Sequence, residues 1–486
     1  MPERPVSIPI KLAFGSGQMA EAIKSNSFEL FLLFYYVQVL GLNPVWTGTA
    51  MLVALVMDAI TDPLIGSISD NFRSRWGRRH PFMYASAIPF GLCFYFLFAP
   101  PAGLQGIGLA AWLTVFAVGI RVMFTFFMVP YYAVGAELTE DYRDRTALVA
   151  YRTMFSFAGA IAISAIAFQV FFHATPEYPQ GQLNPVPYPL MGLTFGLAAA
   201  LIILGSTAGT HSQIPYLHQS GCDQRLSFRE YLRELSGLLH NRPFVAFFLV
   251  AVSIFVLLGL QKALALHMNT YFWALETQEI LYLLYAFFGA TIATVPFVKY
   301  IIDRLDKKGT MKLGLWMLVM SLILPTSLRL VGWFPENDSH WLLPLLIAGQ
   351  VGAGFGGGIL AVSTGSIVAD IADHHELSTG NRQEGLLFGF FTFASKTTSG
   401  AGHFLAGLAL GLISFPTEQD VMPEDISPDT LFELGLVYGP SVAIFGLFCI
   451  AVFSTYSITR ASHEDTLEIL HERRKQKPLA DKQPNS

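Results

Sequence analysis

The chain has 486 residues and a formal net charge of −5 at pH 7; 53% of its residues are hydrophobic and only 13% are charged. Because soluble domains carry roughly 25% charged residues, a soluble protein of this composition would lack the polar side chains needed to cover its surface. The mean hydropathy of +0.48 and the 41 phenylalanines instead indicate an integral membrane protein, and the small net charge gives no reason to expect a nucleic-acid partner.

Twelve apolar runs are long enough to cross a bilayer as helices, which takes about 20 residues. In chain order they are 19–40, 45–68, 82–100, 107–134, 147–172, 190–209, 243–266, 279–302, 313–332, 341–368, 386–413 and 435–459. Barrel strands would instead alternate in polarity over about ten residues. The sequence therefore predicts an all-α polytopic membrane protein with twelve transmembrane helices.

The lysines and arginines between these runs predict the orientation. The basic segments are 69–81, 137–146, 210–242, 303–312 and the tail after Arg460. The segments without lysine or arginine are 41–44, 101–106, 173–189, 267–278, 333–340 and 414–434. Because basic loops stay on the cytoplasmic side, both termini are expected in the cytoplasm, in a cytoplasmic (inner) or plasma membrane.

The longest cytoplasmic connection divides the twelve runs into two sets of six. Within it, SFREYLRELSGLLH (227–240) has apolar residues at helical spacing, which predicts a short amphipathic helix on the membrane surface. We predict an N-terminal six-helix bundle over 1–209, a linker over 210–242, a C-terminal six-helix bundle over 243–460 and a cytoplasmic tail over 461–486. In run 341–368, the glycine-rich GQVGAGFGGG (349–358) is typical of close helix packing or bending rather than of phosphate binding.

Two aspartates lie within the second apolar run. Asp58 and Asp62 are four residues apart and therefore share one helix face. Each carboxylate left unpaired in the membrane would cost roughly 2.5–3.5 kcal/mol, a cost avoided if the pair binds a cation, holds a proton or meets a basic residue. With hydroxyls from the neighbouring Thr61 and from Thr125 in the fourth run, the pattern predicts a monovalent cation site, and a structural ion pair is the alternative. Arg121 shares a helix face with Thr125 and is a candidate structural counter-charge.

Four stretches in order along the chain carry a resemblance to a known family. They are DAITDPLIGSISDNFRSRWGRRHPF (58–82), DYRDRTALVAYRTMF (141–155), VADIADHHELSTGNRQEGLLFGFFTFASKTTSG (368–400) and ITRASHEDTLEILHERR (458–474). Together they resemble the glycoside-pentoside-hexuronide:cation symporters of the major facilitator superfamily, typified by melibiose permease. The resemblance covers nearly the whole chain.

The resemblance implies a major facilitator fold, in which two six-helix bundles surround a central cavity and work by alternating access. It implies symport of a glycoside, sugar or related small organic solute, driven by a sodium or proton gradient, in a monomer that needs no cofactor. A lysolipid or other amphiphile carrier of the same fold is the alternative. A membrane enzyme with a metal site at His374, His375 and Glu376 is the rival from another class, although adjacent histidines on a helix cannot both face one metal ion.

The resemblance also assigns roles to charged residues. It implies that Asp58 and Asp62 bind the coupling ion, that Lys396 pairs with them across the cavity, and that helix one lines the cavity. The predicted cavity residues are Arg152, Lys396, Tyr132, Glu21 and Lys24. The predicted gating and cytoplasmic-loop residues are Asp70, Arg75, Arg78, Arg79, Arg145, Asp370 and Asp373. Glu21 and Lys24 are three apart and could instead neutralise each other, and the arginines of the 69–81 loop could serve orientation alone.

The chain departs from the sugar-transporting members at several positions. Ala22 and Met128 stand where those members have acidic residues, and Tyr132 stands where they have tryptophan. Thr61 replaces the asparagine of the sodium-using carriers. These differences leave the identity of the solute and the choice between sodium and proton open.

Overall fold

The computed structural model describes residues 6–139, 141–217, 241–379, 384–417 and 421–480. All regular secondary structure in these ranges is helical, as the sequence predicted. The predicted surface helix over 227–240 lies outside the described residues.

The described residues up to 217 form seven α-helices, two of which are followed by π-helical segments. They are α1 Ile8–Ser16, α2 Gln18–Asn26, α3 Pro44–Asn71, α4 His80–Phe98, α5 Gly106–Glu137, α6 Tyr142–Ile166 and α7 Pro187–His211. The π-helical segments Ser27–Leu32 and Tyr35–Val39 follow α2, and Ala167–Phe171 follows α6. Predicted run 19–40 is thus several short helical pieces in sequence rather than one regular helix.

Capping residues in the sequence explain where α3 and α6 begin. The Asn43 side chain accepts hydrogen bonds from the backbone N–H groups of Val45 and Trp46, and Pro44 occupies the first helical position of α3. Asparagine is a preferred N-cap, and proline at the first position loses only an N–H that has no helical partner. Asp141 caps α6 in the same way by accepting from the backbone N–H of Asp144.

The described residues from 241 onward form eight further α-helices. They are α8 Arg242–His267, α9 Thr277–Leu330, α10 Leu342–Thr379, α11 Glu384–Thr397, α12 His403–Leu412, α13 Pro428–Tyr438, α14 Pro440–Ser454 and α15 Arg460–Ala480. The π-helical segments Met268–Phe272 and Thr398–Gly402 follow α8 and α11. Helix α9 is two helices joined at Asp306, whose φ of 63° and ψ of 166° are non-helical. The predicted basic connection 303–312 is therefore helical apart from this one kink.

Nine helices among the described residues are long and apolar enough to cross a membrane. They contain ten of the twelve predicted runs, because the kinked α9 holds both 279–302 and 313–332. The other two runs, 19–40 and 386–413, are built from shorter helices joined by π-helical turns. The count of twelve spans stays a prediction for these two.

The helices form two compact units that interleave along the chain. The first unit comprises the described residues of 1–221, 258–284 and 397–437, and the second comprises those of 222–257, 285–396 and 438–486. The first unit therefore combines the predicted N-terminal half with parts of the predicted C-terminal half, whereas the second unit takes nothing from 1–209. The predicted domain boundaries stay a prediction.

Glycines allow close helix packing within each unit. In the first unit, a Cβ on Gly196 of α7 would lie 2.7 Å from the carbonyl oxygen of Gly91 of α4. In the second unit, a Cβ on Gly354 of α10 would lie 2.4 Å from the carbonyl oxygen of Phe287 of α9. Gly354 belongs to the glycine-rich run 349–358, which therefore permits close helix packing, as predicted.

The predicted orientation can be tested with two exposed residues. Glu177 lies in a connection expected outside, and Arg304 lies near the kink of α9, expected inside; both are exposed. After replacement of the three native cysteines by serine, a membrane-impermeant maleimide should label Glu177→Cys in intact cells. The same reagent should label Arg304→Cys only after the membrane is permeabilised. Labelling of both positions in intact cells would contradict the predicted orientation.

Candidate functional site

The two intramembrane aspartates meet a single hydroxyl in the first unit. The Thr125 hydroxyl of α5 lies 3.0 Å from Asp58 Oδ1 and 2.9 Å from Asp62 Oδ1 of α3. Asp58 is 6% exposed, whereas Asp62 is only partly buried. Two carboxylates on adjacent turns thus share one side-chain oxygen from the neighbouring helix, as the spacing predicted.

Arg121 is the third member of this cluster. Its Nη1 lies 3.3 Å from Asp58 Oδ2, and both side chains are almost fully buried. Arg121 precedes Thr125 by one turn of α5, so the two residues reach the same part of α3. The sequence left open whether Arg121 is a structural counter-charge. The structure shows that it contacts Asp58 directly.

Thr61 uses its hydroxyl differently from Thr125. It donates to the backbone carbonyl of Asp58 on its own helix at 3.4 Å. Pro63, one residue after Asp62, has no N–H, so the carbonyl of Ala59 loses its usual helical donor. The part of α3 that carries the carboxylates is therefore locally weakened.

The predicted cavity residues on α2, α5 and α6 make two separate contacts in the first unit. The Arg152 guanidinium lies over the ring of Tyr132, 4.3 Å from its centroid. Lys24 Nζ lies 3.2 Å from Glu21 Oε2 and 4.3 Å from the ring centroid of Phe124. Glu21 and Lys24 therefore pair with each other, while Arg152 is held by an aromatic face.

Lys262 is a charged residue that the predicted cation-site and cavity residues do not include. Its Nζ lies 2.5 Å from Oε2 of Glu29, which lies in the π-helical segment after α2. Beside this pair, His403 contacts the backbone oxygen of Phe28 through Nε2 at 2.8 Å. A lone lysine in the apolar run 243–266 was the available signal, since an intramembrane charge needs a partner or a function.

Neutral hydrogen bonds join connections that are predicted to face the outside. Gln182 donates to the Thr270 hydroxyl at 2.9 Å and accepts from the Thr277 hydroxyl at 2.9 Å. The Tyr271 hydroxyl donates to Gln38 Oε1 at 3.0 Å. All of these residues belong to the first unit.

The predicted loop residues after α3 form a cluster with the end of α5. Arg79 Nη2 lies 2.8 Å from Glu137 Oε1 and 3.1 Å from Asp70 Oδ1, and Arg78 also contacts Glu137. Burial lowers the pKa of the Arg79 guanidinium from its ordinary value, and the nearby Glu137 and Asp70 oppose this shift. Arg75 instead lies over the ring of Trp76.

Of the remaining predicted loop residues, Arg145 is exposed near the start of α6. Asp370 and Asp373 belong to the second unit, near the C-terminal end of α10. Asp370 accepts from Lys307 Nζ at 2.6 Å. His463 Nε2 of α15 lies 3.3 Å from both Asp370 and Asp373.

Lys396 lies in the last turn of α11, within the second unit. It is partly buried. Its pairing with the aspartates of α3 stays a prediction.

In the part of the chain that the structure describes, no group of three or more histidine, cysteine, aspartate or glutamate residues is arranged to hold a metal ion.

A polytopic helical protein that keeps paired charges inside its apolar segments has the features of a membrane transporter. The family model of the MFS/sugar transport proteins matches residues 13–460. The chain belongs to this family, and so to transport proteins rather than enzymes.

Similar proteins agree with this assignment. An uncharacterised symporter of Synechocystis is 27% identical, with 95% of this chain and 96% of that protein covered. A putative glycoside/cation symporter of Escherichia coli is 26% identical over 93% of each chain. The structure of the xylose transporter XylE from Escherichia coli matches with a TM-score of 0.60 at 13% identity, covering 95% of this chain and 98% of that one. At that identity the last match shows the fold alone.

The Asp58–Arg121 contact predicts unequal effects of neutralising the two aspartates. Asp58→Asn leaves the buried Arg121 guanidinium without its carboxylate, and breaking a buried pair in this way costs about 3–5 kcal/mol. Asp62→Asn removes a carboxylate that is less buried than Asp58. Thermal unfolding of the purified variants should therefore show a larger loss of stability for Asp58→Asn. Equal losses would mean that Arg121 does not depend on Asp58.

Proposed function

We propose that this protein is a secondary active transporter that couples entry of a monovalent cation, sodium or proton, to symport of a glycoside, sugar or related small organic solute. The observation that carries the proposal is the pair of α3 carboxylates that share the Thr125 hydroxyl inside apolar helices. The names of the relatives, a symporter and a putative glycoside/cation symporter, support it.

In this proposal the carboxylates act as the coupling site. Asp58, Asp62 and Thr125 supply hard oxygen ligands, which suit a sodium ion, and the carboxylates can equally accept a proton. Bringing a cation to the site offsets the cost of carrying buried negative charge through the membrane. The loaded protein can then change between its outward-open and inward-open states more easily than the empty one, which links cation movement to solute movement.

The proposed solute site is formed by Arg152, Tyr132, Glu21 and Lys24. An aromatic ring offers a flat face to a sugar ring, and the charged groups offer hydrogen bonds to hydroxyls. Arg152 is held over Tyr132 without an acidic partner within ion-pair distance among the described residues, so its N–H groups can turn to a solute. Lys396 of α11, which the family resemblance assigns to the cavity, is proposed as a further basic residue that the solute meets.

The proposal also covers the membrane location, the orientation and the oligomeric state of the transporter. The transporter works as a monomer in the cytoplasmic (inner) or plasma membrane, with both termini in the cytoplasm, and needs no cofactor beyond the coupling ion. The basic segments of the sequence support this orientation.

Uptake by proteoliposomes tests the proposal. Under an inward sodium or proton gradient, vesicles containing the protein should accumulate a member of a panel of labelled sugars, glycosides and uronates. Asp62→Asn should abolish accumulation against the gradient while solute exchange without a gradient continues, because the coupling ligand is lost and the solute site remains. Glu433→Gln, which neutralises an exposed carboxylate of α13, serves as the matched control. Accumulation by Asp62→Asn at the control level would contradict the proposed coupling site, and uptake of lysophospholipid alone would favour an amphiphile carrier.

The role proposed for Lys396 can be examined by rescue. Lys396→Ala should fail in gradient-driven uptake, because an uncompensated buried carboxylate raises the cost of the empty state. The double variant Lys396→Ala/Asp62→Asn should be recovered from the membrane in higher yield than Lys396→Ala, since the leftover negative charge is removed as well. Lys299→Ala, at an exposed position of α9, controls for loss of a lysine. If the single and double variants give equal yields, Lys396 does not compensate the α3 carboxylates.

A further inference from the structure

The segment after α2 and the segment after α8 have the same backbone conformation, displaced by 233 positions along the chain. Each contains a π-helical stretch, Tyr35–Val39 and Met268–Phe272. Two residues beyond each stretch the backbone is left-handed, with a φ of 72° at Gly41 and of 50° at Ala274. The helices that follow, α3 and α9, also begin 233 positions apart. Because a non-glycine residue seldom adopts a positive φ, its recurrence at Ala274 indicates an internal repeat.

Three pairs of residues in contact occupy the same place in the two repeats, since the members of each pair are 233 positions apart. The first is an ion pair of 2.5 Å, the second brings two ring centroids within 5.1 Å, and the third is a hydrogen bond of 3.0 Å. All of these residues belong to the first unit. In that order the pairs are Glu29–Lys262, Phe34–His267 and Gln38–Tyr271.

These contacts between counterparts locate the axis that relates the two repeats. In a two-fold arrangement, a residue touches its own counterpart only where it lies beside the axis. The two halves of a major facilitator protein are related by an axis along the membrane normal. Because the offset is the same in all three pairs, the two segments run parallel along this axis. The pairs lead from the middle of the predicted span 19–40 to its end, beside the connections expected outside.

We propose that these three pairs, here called the axial pairs, form an outer gate and that Glu29–Lys262 is the ion pair that holds it closed. This inference rests on the proposed function and adds to it the residues that close the transporter on its outer side. Opening that side separates the two repeats there, so pairs that lie on the axis between them have to break. The hydrogen bonds of Gln182 with Thr270 and Thr277 join the repeats on the same side and part in the same step.

The ion pair is the strongest of the axial pairs and can still be released. A hydrogen bond between charged groups is roughly twice as strong as one between neutral groups. The side chain of Lys262 is 43% exposed and that of Glu29 is 12% exposed. When the outer side is closed, each charge needs the other inside an apolar segment. When it opens, water reaches both groups and replaces the contact, so the pair favours the closed state without making it permanent.

The two-fold relation between positions 29 and 262 provides the test. Because the two positions are equivalent, the exchange Glu29→Lys/Lys262→Glu restores the pair with its polarity reversed. Lys262→Glu alone places two carboxylates opposite each other, and like charges at this distance repel. If the pair holds the gate closed, Lys262→Glu opens the outer side and the exchange closes it again.

The measurement is the distance between two spin labels in the purified full-length protein, without solute. After replacement of the three native cysteines by serine, the labels are attached at Gln105→Cys and Glu424→Cys. Both positions are exposed, lie in connections expected outside and belong to the first unit, one in each repeat. The otherwise unchanged protein should give mainly the shorter distance. Lys262→Glu should shift most of the population to a longer distance, and Glu29→Lys/Lys262→Glu should return it. Lys299→Glu, which reverses an exposed charge of α9, is the matched control.

A Lys262→Glu variant that keeps the shorter distance would overturn the proposal, and so would an exchange variant that stays at the longer one. A pair that only stabilises the fold would lower the unfolding temperature of Lys262→Glu without moving the labels. If Lys262→Glu does not fold, Glu29→Gln decides in its place: a larger population at the longer distance supports the gate, and an unchanged one refutes it. The labels report opening without transport, so a protein that moves no solute defeats the proposed function and leaves this result readable.

Discussion

The structure depends above all on the cost of carrying charge inside an apolar bilayer. The cluster of Asp58, Asp62, Thr125 and Arg121 meets that cost locally, with a guanidinium 3.3 Å from one carboxylate and a hydroxyl between both. A bilayer offers no water to solvate an ion, so each buried charge must find a partner or serve a function. This requirement couples the rotation of α3 to that of α5, because a turn of either helix would separate the partners.

The same rule accounts for the other membrane charges of the first unit. Three oppositely charged pairs within its predicted spans lie in direct contact. They are Glu21–Lys24, Glu29–Lys262 and Asp58–Arg121. Asp62 instead contacts a hydroxyl and Arg152 an aromatic face. The proposed cation and solute sites include these two residues.

The sequence predicted what depends on local pattern. Helix type, most span positions and the shared face of Asp58 and Asp62 follow from hydropathy and from the i,i+4 spacing, whereas Thr125 was named only as a further hydroxyl for the site. The sequence did not settle the Arg121–Asp58 pairing, because pairing between helices depends on how each is rotated. Lys262 was missed for the same reason, since its partner Glu29 lies more than 200 positions away in the chain. Nor did the basic composition of 303–312, read as a loop, predict that α9 continues through it with a single kink.

The connections expected on the two sides of the membrane differ in their contacts: one set forms neutral hydrogen bonds and the other forms ion pairs. The difference arises because lysine and arginine are confined to the basic segments. The connections expected outside contain no lysine or arginine, so Gln182, Thr277 and Tyr271 join them through neutral hydrogen bonds. The basic segments that predict the orientation carry ion pairs instead: Arg79 pairs with Glu137 in the first unit, and Lys307 pairs with Asp370 in the second. The Arg79 and Glu137 side chains are only 9% and 11% exposed, and salt screens buried pairs much less than exposed ones. The rule that is expected to orient the chain therefore places its ion pairs in the basic segments, where burial protects the Arg79–Glu137 pair from screening.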